Sequence, residues 1–313
     1  MQNAPGGPGR ASAVERLKAH FNDCWQLYAM LLPVIAYYIL FQYIPLFGAQ
    51  IAFRKFGFKA GITGSPWVGL KYFREFFSSI YFPRLMRNTL LLSLFTLIFG
   101  FPVPIILALM FNEVNNRRAR TLVQTSSYLP HFISMVVVCS LVKSFMGTNG
   151  LVTNLLTLVG LPAHNYMLDE KAYRAIYVIS GIWQTAGWDS IIFFAALSAI
   201  DTSLYEVAML DGATRLQQII HVTLPGISMT IIVMLIVRVG YIMDLGSDKT
   251  LLLYNPSTYE TSDIIASYVY RKGLEEMNYS FSVAVDLFNS VINFVLVVIV
   301  NQVSKRTTGT SVF

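Results

Sequence analysis

Six stretches of this chain are long and apolar enough to cross a lipid bilayer, and they decide what it can fold into. They run through residues 25–46, 88–111, 121–146, 174–199, 226–245 and 283–303. A hydrocarbon core of about 30 Å takes about 20 helical residues. Peptide groups facing lipid have no water to bond, so each stretch is expected to be a helix. The expected fold class is therefore an all-α integral membrane protein with six transmembrane helices. Composition agrees: 55% of residues are hydrophobic and only 13% charged, where soluble domains carry about 25% charged residues. Pro33, Pro102, Pro104 and Pro130 fall inside or near the ends of these stretches, a placement that membrane helices tolerate better than soluble ones. No internal repeat is visible, which disfavours a secondary transporter built from duplicated halves.

Several functions are excluded early. Cys24 precedes the first apolar stretch and Cys139 lies within a later one, so both are expected to be unpaired thiols. The formal charge of +6 is scattered between apolar segments, and nucleic acid is not an expected partner. There is no G-x-x-x-x-G-K-[ST] phosphate loop, since GFKAG and GTNG lack the length and the lysine. There is no H-E-x-x-H, and His20, His131, His164 and His221 have no metal-ligand spacing. No nucleophile–base pair stands out either, which leaves an intramembrane enzyme without chemistry. The segment MQNAPGGPGRASAVERLKAH is polar, with no apolar core before a cleavage site, and residues 1–24 read as a cytosolic tail.

Charge does not settle orientation. NEVNNRRAR holds three arginines, and Arg10, Arg16, Lys18, Lys305 and Arg306 lie in the tails (the second being 304–313), which favours cytosolic termini. The opposite loop, 47–87, carries Arg54, Lys55, Lys59, Lys71, Arg74, Arg84 and Arg87 against Glu75 alone.

Between the fourth and fifth stretches lies LYEVAMLDGATRLQQIIHVTLPG. Ser203 and Glu206 have the spacing of a capping box. Gly212 supplies the freedom to stop that first short helix. Thr214 and Gln217 repeat the cap for a second helix, and Pro225 is expected to block its extension into the next stretch. The expectation is two short helices, 201–225, projecting from the membrane. A DNA-reading helix pair has similar punctuation but needs free access to a groove, which the flanking apolar segments deny. A structured loop or a docking device for a soluble partner remains.

These residues resemble the coupling loop of binding-protein-dependent ABC importers. That pattern reads Glu-Ala-Ala, three residues, Gly, nine residues, Ile, one residue, Leu-Pro; here Glu206, Ala208, Gly212, Leu224 and Pro225 fall in register. Val207 and Val222 are mild departures. SPWVGLKYFREFF, FPVPIILALMFNEV, GIWQTAGWDSIIFFAALSAID and LLLYNPSTYETSDIIASYVYRKGL extend the resemblance to the oligosaccharide branch of these permeases. The resemblance implies the type I importer permease fold, with residues 25–303 as half of a translocation pathway. It implies a bacterial cytoplasmic membrane location with loop 201–225 and both termini cytosolic. The implied partners are a second related permease, two ATPase subunits that bind ATP and Mg, and an extracytoplasmic solute-binding protein. This chain itself is expected to hold no cofactor and to catalyse nothing.

Polar residues within the apolar stretches are candidates for the pathway. Trp183, Gln184 and Trp188 cluster in the fourth stretch; aromatic faces and amides suit a sugar, while interfacial anchoring is the plainer role for the tryptophans. Asp286, Asn289 and Asn293 share one helix face in the last stretch, for a sugar route or for helix–helix hydrogen bonds. Arg238 either lines a cavity, pairs with Asp244, or snorkels to the interface. An ion-coupled secondary sugar transporter is the competing class, yet Asp189, Asp244 and Asp286 all lie toward the ends of stretches. The basic loop 47–87 would attract an anionic ligand. An oligosaccharide is the expected substrate, and because the resembled branch includes importers of uronic-acid oligosaccharides from pectin or alginate, an acidic sugar is one reading of these charges; an acidic binding-protein surface or lipid phosphate is the other.

Overall fold

The computed structural model describes residues 13–160 and 162–308, with side chains described from Cys24 to Arg306 apart from Leu161. Arg10, the start of the N-terminal tail and residues 309–313 lie outside the described residues. Among the described residues there is no strand, only an antiparallel bridge between Arg54 and Trp67. The all-α expectation holds. Four helical segments are long and apolar enough to cross a membrane: Cys24–Phe53, Phe82–Glu113, Met135–Leu158 and Tyr279–Arg306. Two bent pairs raise the number to six, Glu170–Ser198 with Thr202–Leu210 (70°) and Arg215–Gly226 with Ser228–Gly240 (62°).

The helix Glu170–Ser198 organises the molecule. Its 29 residues span roughly 44 Å, and it packs on Phe82–Gly100, Pro102–Glu113 and Arg117–Tyr128. Asp169 caps its start through a 2.8 Å bond from Lys171 N–H. At one end Leu92, Tyr173, Ile176, Tyr177, Leu253 and Ile264 form a buried cluster. At the other, Phe193 and Leu197 pack with Ala108 and Ile227. A third cluster joins Tyr72, Phe76 and Leu85 to Phe281 and Val285 of the last helix, Tyr279–Thr308. Within Cys24–Phe53 the apolar window has no buried residue, so its side chains are left for lipid or another subunit.

Two expectations are corrected. The stretch 121–146 is not one helix: Arg117–Tyr128 ends in a short turn at Leu129–Phe132, and a new helix starts at Met135 with Ser134 as its cap. Pro130 cannot donate to a helical ladder, which explains the break. The stretch 226–245 is helical only over Ser228–Gly240; residues 241–246 are irregular and a separate helix follows at Ser247–Leu253. The first and last helices run past the apolar stretches, beginning at Ala13 and continuing to Thr308.

Prolines inside two helices have a common solution. Pro45 and Pro225 each follow a five-residue π-turn, Ile39–Tyr43 and Ile219–Thr223. A proline removes one N–H and its ring presses on the carbonyl four residues earlier. The wider turn takes that carbonyl out of the way. The helix carries on one residue past Pro225 and then bends by 62° after Gly226, so it does not run straight into the next stretch.

Candidate functional site

Loop 201–226 has a shape set by its own hydrogen bonds. The first cap is Asp201 rather than Ser203: its Oδ1 accepts the Ser203 N–H at 2.9 Å, and the helix runs Thr202–Leu210. That N–H holds the Asp201 carboxyl below the usual carboxylate range. Ser203 and Glu206 are thus inside the helix, with Glu206 exposed. Aspartate caps as well as serine, so the spacing of Ser203 and Glu206 pointed two residues too far along.

The helix ends at a left-handed glycine. Gly212 has φ +78, its N–H bonds Met209 O at 3.0 Å, and Ala213 N–H bonds Ala208 O at 2.9 Å. Those two bonds satisfy carbonyls that the helix end would otherwise leave open. Thr214 then starts Arg215–Gln218 with the expected capping box, its N–H bonded to Gln217 Oε1 at 2.7 Å. Gln218 is buried and donates to Ala213 O at 3.0 Å. Tyr205 and Thr223 hydroxyls, 3.0 Å apart, tie the two arms together. At the base, a Cβ on Gly226 would lie 2.8 Å from Ile200 Cδ1, so glycine permits the close return of the chain. This polar frame presents apolar side chains outward: Leu204, Val207, Leu210 and Leu216 are all more than half exposed, Leu210 at 87%. Leu224 and Pro225 sit at the end of the bent arm.

Two adjoining cavities lie against the central helix. The first, about 290 Å³, is walled by Ser93, Thr96, Gln184, Thr185 and Tyr177, and by Arg238, Asp244 and Lys249. The second, about 690 Å³, is walled by Pro104, Trp188, Asp189, Phe193 and Met234. Gly100, Arg238 and Tyr241 line both. Gln184, Trp188 and Arg238 are thus brought together. Arg238 makes no ion pair with Asp244 or any other described residue. Trp183 is 49% exposed and lines neither cavity.

Trp188 and Gln184 are held by the broken third stretch. His131 stacks on Trp188 at 4.6 Å and 3°, and Phe132 meets it edge-on at 5.4 Å. Gln184 Nε2 donates to Ile133 O at 3.2 Å. Gly187, between them, is packed against Ser127, where an added Cβ would fall 1.9 Å from the carbonyl oxygen.

Asn289 and Asn293 line neither cavity and bond to backbone instead. Asn293 Oδ1 accepts Met243 N–H at 3.0 Å, and Asn289 Nδ2 donates to Met243 O at 3.3 Å. Ser93 donates to Ile242 O from the other side. Non-helical backbone at membrane depth persists only where it is satisfied by protein or lines a cavity; segment 241–246 has both supports. Asp286 is exposed and lines neither cavity. Sequence reasoning missed the irregular segment and Lys249, which lies just beyond the assigned stretch. The one available signal was Gly240 and Gly246 flanking the polar Asp244.

At the N-terminal end of the central helix the basic loop is partly neutralised. Asp263 is fully buried and takes Arg84 at 3.2 Å and Arg271 at 2.7 Å. Burial works against the Arg271 charge, but the bonds to Asp263 outweigh it and raise its pKa. Arg87 pairs with Glu260 at 2.7 Å, and Arg174 bonds Asn88 Oδ1 at 2.9 Å. Arg54 donates to the Thr63 and Ser65 carbonyls, both at 2.9 Å. Lys55, Lys59, Lys71 and Arg74 remain exposed. No group of His, Cys, Asp and Glu among the described residues could hold a metal ion.

Comparison with known proteins places this architecture. The chain is 41% identical over 281 residues to the polygalacturonan/rhamnogalacturonan transport system permease protein YteP of Bacillus subtilis (strain 168), covering 90% of this chain and 88% of that one. A crystal structure of a bacterial ABC transporter involved in the import of the acidic polysaccharide alginate contains a chain that matches with a TM-score of 0.86 and 44% identity, over 94% of this chain and all of that one. The alginate transporter in complex with an alginate pentasaccharide-bound periplasmic protein matches with a TM-score of 0.87 and 44% identity, over 95% of this chain and all of that one. Residues 100–309 match the model of the binding-protein-dependent transport system inner membrane component, and the chain belongs to that family of ABC importer permeases.

Proposed function

We propose that this chain is one permease subunit of an ATP-driven importer and forms half of the pathway for an acidic, uronate-containing oligosaccharide. A solute-binding protein delivers the sugar on the outside, a second related permease completes the pathway, and two ATPase subunits hydrolyse ATP. In this reading the chain crosses the bacterial cytoplasmic membrane repeatedly, with loop 201–226 and both termini in the cytosol. Glu206, Ala208, Gly212, Leu224 and Pro225 set the loop in an ATPase groove. Gln184, Trp188 and Arg238 line the sugar route. Trp183, Asp286, Asn289 and Asn293 act around it, the asparagines by holding segment 241–246 open.

The observation that carries this reading is the loop itself. It is a short helix with a defined cap at each end, rigid by its own bonds and apolar on its outside, with Leu210 at 87% exposure. Such a surface, made of the inner arms of two bent helix pairs, suits a soluble partner that pushes on the membrane part. The acidic character of the sugar is supported by the match to an alginate importer and by the cations in the first cavity.

The test is reconstitution with the partner subunits in proteoliposomes. Uptake should require ATP inside and the loaded binding protein outside, and should continue when the proton gradient is collapsed. Uptake that follows the ion gradient without ATP would return the chain to the ion-coupled class, for which no finding speaks.

A further inference from the structure

We propose that Lys249, together with Arg238, forms a carboxylate-binding station in the first cavity, which takes the uronate groups of the passing sugar. This rests on the reading of the chain as an importer of acidic oligosaccharides. Lys249 is only 6% exposed, and burying an ammonium is costly unless it is paired. Yet it forms no ion pair with any described residue. Its Nζ donates to Tyr177 O at 2.7 Å and lies 4.5 Å from the centre of the Tyr177 ring. An ammonium has three donors, and Tyr177 O takes one.

The seat for this cation is built. A Cβ on Gly181 would stand 3.0 Å from Lys249 Nζ, so the central helix has a glycine where the ammonium passes. The ring of Tyr177 favours a cation over its face. The helix Ser247–Leu253 that carries Lys249 packs on Met135–Met146, which fixes the lysine from behind. Arg238 enters from a different helix, lines the same cavity, and lacks an ion pair among the described residues. Asp244 is the one acid on that wall. Within this cavity two cations face one carboxylate, Asp189 standing on the wall of the second, and an anionic group beside Lys249 supplies the counter-charge that the buried ammonium lacks. A neutral sugar would leave the buried ammonium uncompensated, so the station discriminates by charge rather than by shape.

The test uses the complete transporter, with partner permease, ATPases and binding protein, in proteoliposomes. Trigalacturonate and its carboxyl-reduced counterpart are the probes, and rates are expressed per assembled complex. Lys249→Met should lower trigalacturonate uptake at limiting concentration at least tenfold. Lys249→Arg, which keeps the charge, should retain most of it, and Arg238→Gln should show a smaller loss. Wild-type uptake by Lys249→Met overturns the station while the substrate reading stands. Equal inactivity of assembled Lys249→Met and Lys249→Arg also overturns it, because the side chain's shape rather than its charge would then be needed. Should Lys249→Met fail to assemble, an inactive Lys249→Arg beside a fully active Arg238→Gln overturns it equally. A wild-type transporter that moves only the carboxyl-reduced sugar removes the acidic-substrate reading and the station with it.

Discussion

Gly212 is the position where one substitution tests the loop most directly. Its φ of +78 lies in the left-handed region, and a Cβ built there would meet nothing within 4 Å. A side chain therefore costs backbone strain and no clash, about 1–2 kcal/mol for an L residue, with valine at the upper end because its branched Cβ is stiff. The chain can escape the strain only by turning away from the left-handed region. That would break the bonds from Gly212 N–H to Met209 O and from Ala213 N–H to Ala208 O. A change of this size shifts a two-state balance by a factor of roughly 5–30, and Gly212→Val should lower the docked form of the loop by that order. Uptake and binding-protein-stimulated ATP hydrolysis should fall together in the purified complex. Gly212→Asn should keep most of both, since asparagine visits the left-handed region more readily. Full transport by assembled Gly212→Val would refute the reasoning. Equal failure of the asparagine variant would show that the backbone angle is not the cause.

Other substitutions probe the frame around the cavities. Gly187→Ala would place a Cβ 1.9 Å from Ser127 O; overpacking of this kind costs about 1–3 kcal/mol, and the thermal midpoint of the purified protein should fall. Asn293→Leu frees Met243 N–H in a buried setting, at about 1–3 kcal/mol, and should lower the same midpoint. Asp263→Asn leaves Arg84 and Arg271 without their buried counter-charge, a loss of about 3–5 kcal/mol; unchanged stability would count against that network. In a background lacking Cys24 and Cys139, cysteines at Trp188 and Tyr241 should react with a polar thiol reagent, while one at Asn289 should stay inert in every nucleotide state.

The apolar stretches and the punctuation of loop 201–226 could be read from residues alone because each depends on local rules. Spans are set by length against the bilayer, the Thr214–Gln217 cap by a spacing of three, and the turn at Gly212 by the absence of a Cβ. What could not be read is where a helix stops inside an apolar run. Residues 241–246 leave the helix because Ser93, Asn289 and Asn293 satisfy their backbone from two other helices, and no local pattern announces a bond across fifty residues. The same holds for Asn289 and Asn293. A shared helix face left a sugar route and helix–helix bonding both open, and only packing reveals that their partner is peptide. Asp201 shows the smaller failure, in which two residue types cap equally well and the spacing of the other pair misleads.

Charge makes the contrast sharper. The count over loop 47–87 suggested a broad basic field, yet Arg84 and Arg87 face Asp263 and Glu260, and Arg54 is spent on carbonyls. Those acids lie 179 and 173 residues away in sequence, so a window count cannot include them. Lys55, Lys59, Lys71 and Arg74 keep their exposure to solvent, where salt screens a charge within about 8–10 Å. Lys249 and Arg238 are the opposite case. They belong to no basic cluster in the sequence, but one is buried and both line a cavity, where the lower dielectric makes a single charge far more effective than in water. If the proposed station holds, selection for an anion rests on these two side chains more than on the surface loop, which is left to attract and orient whatever docks above them.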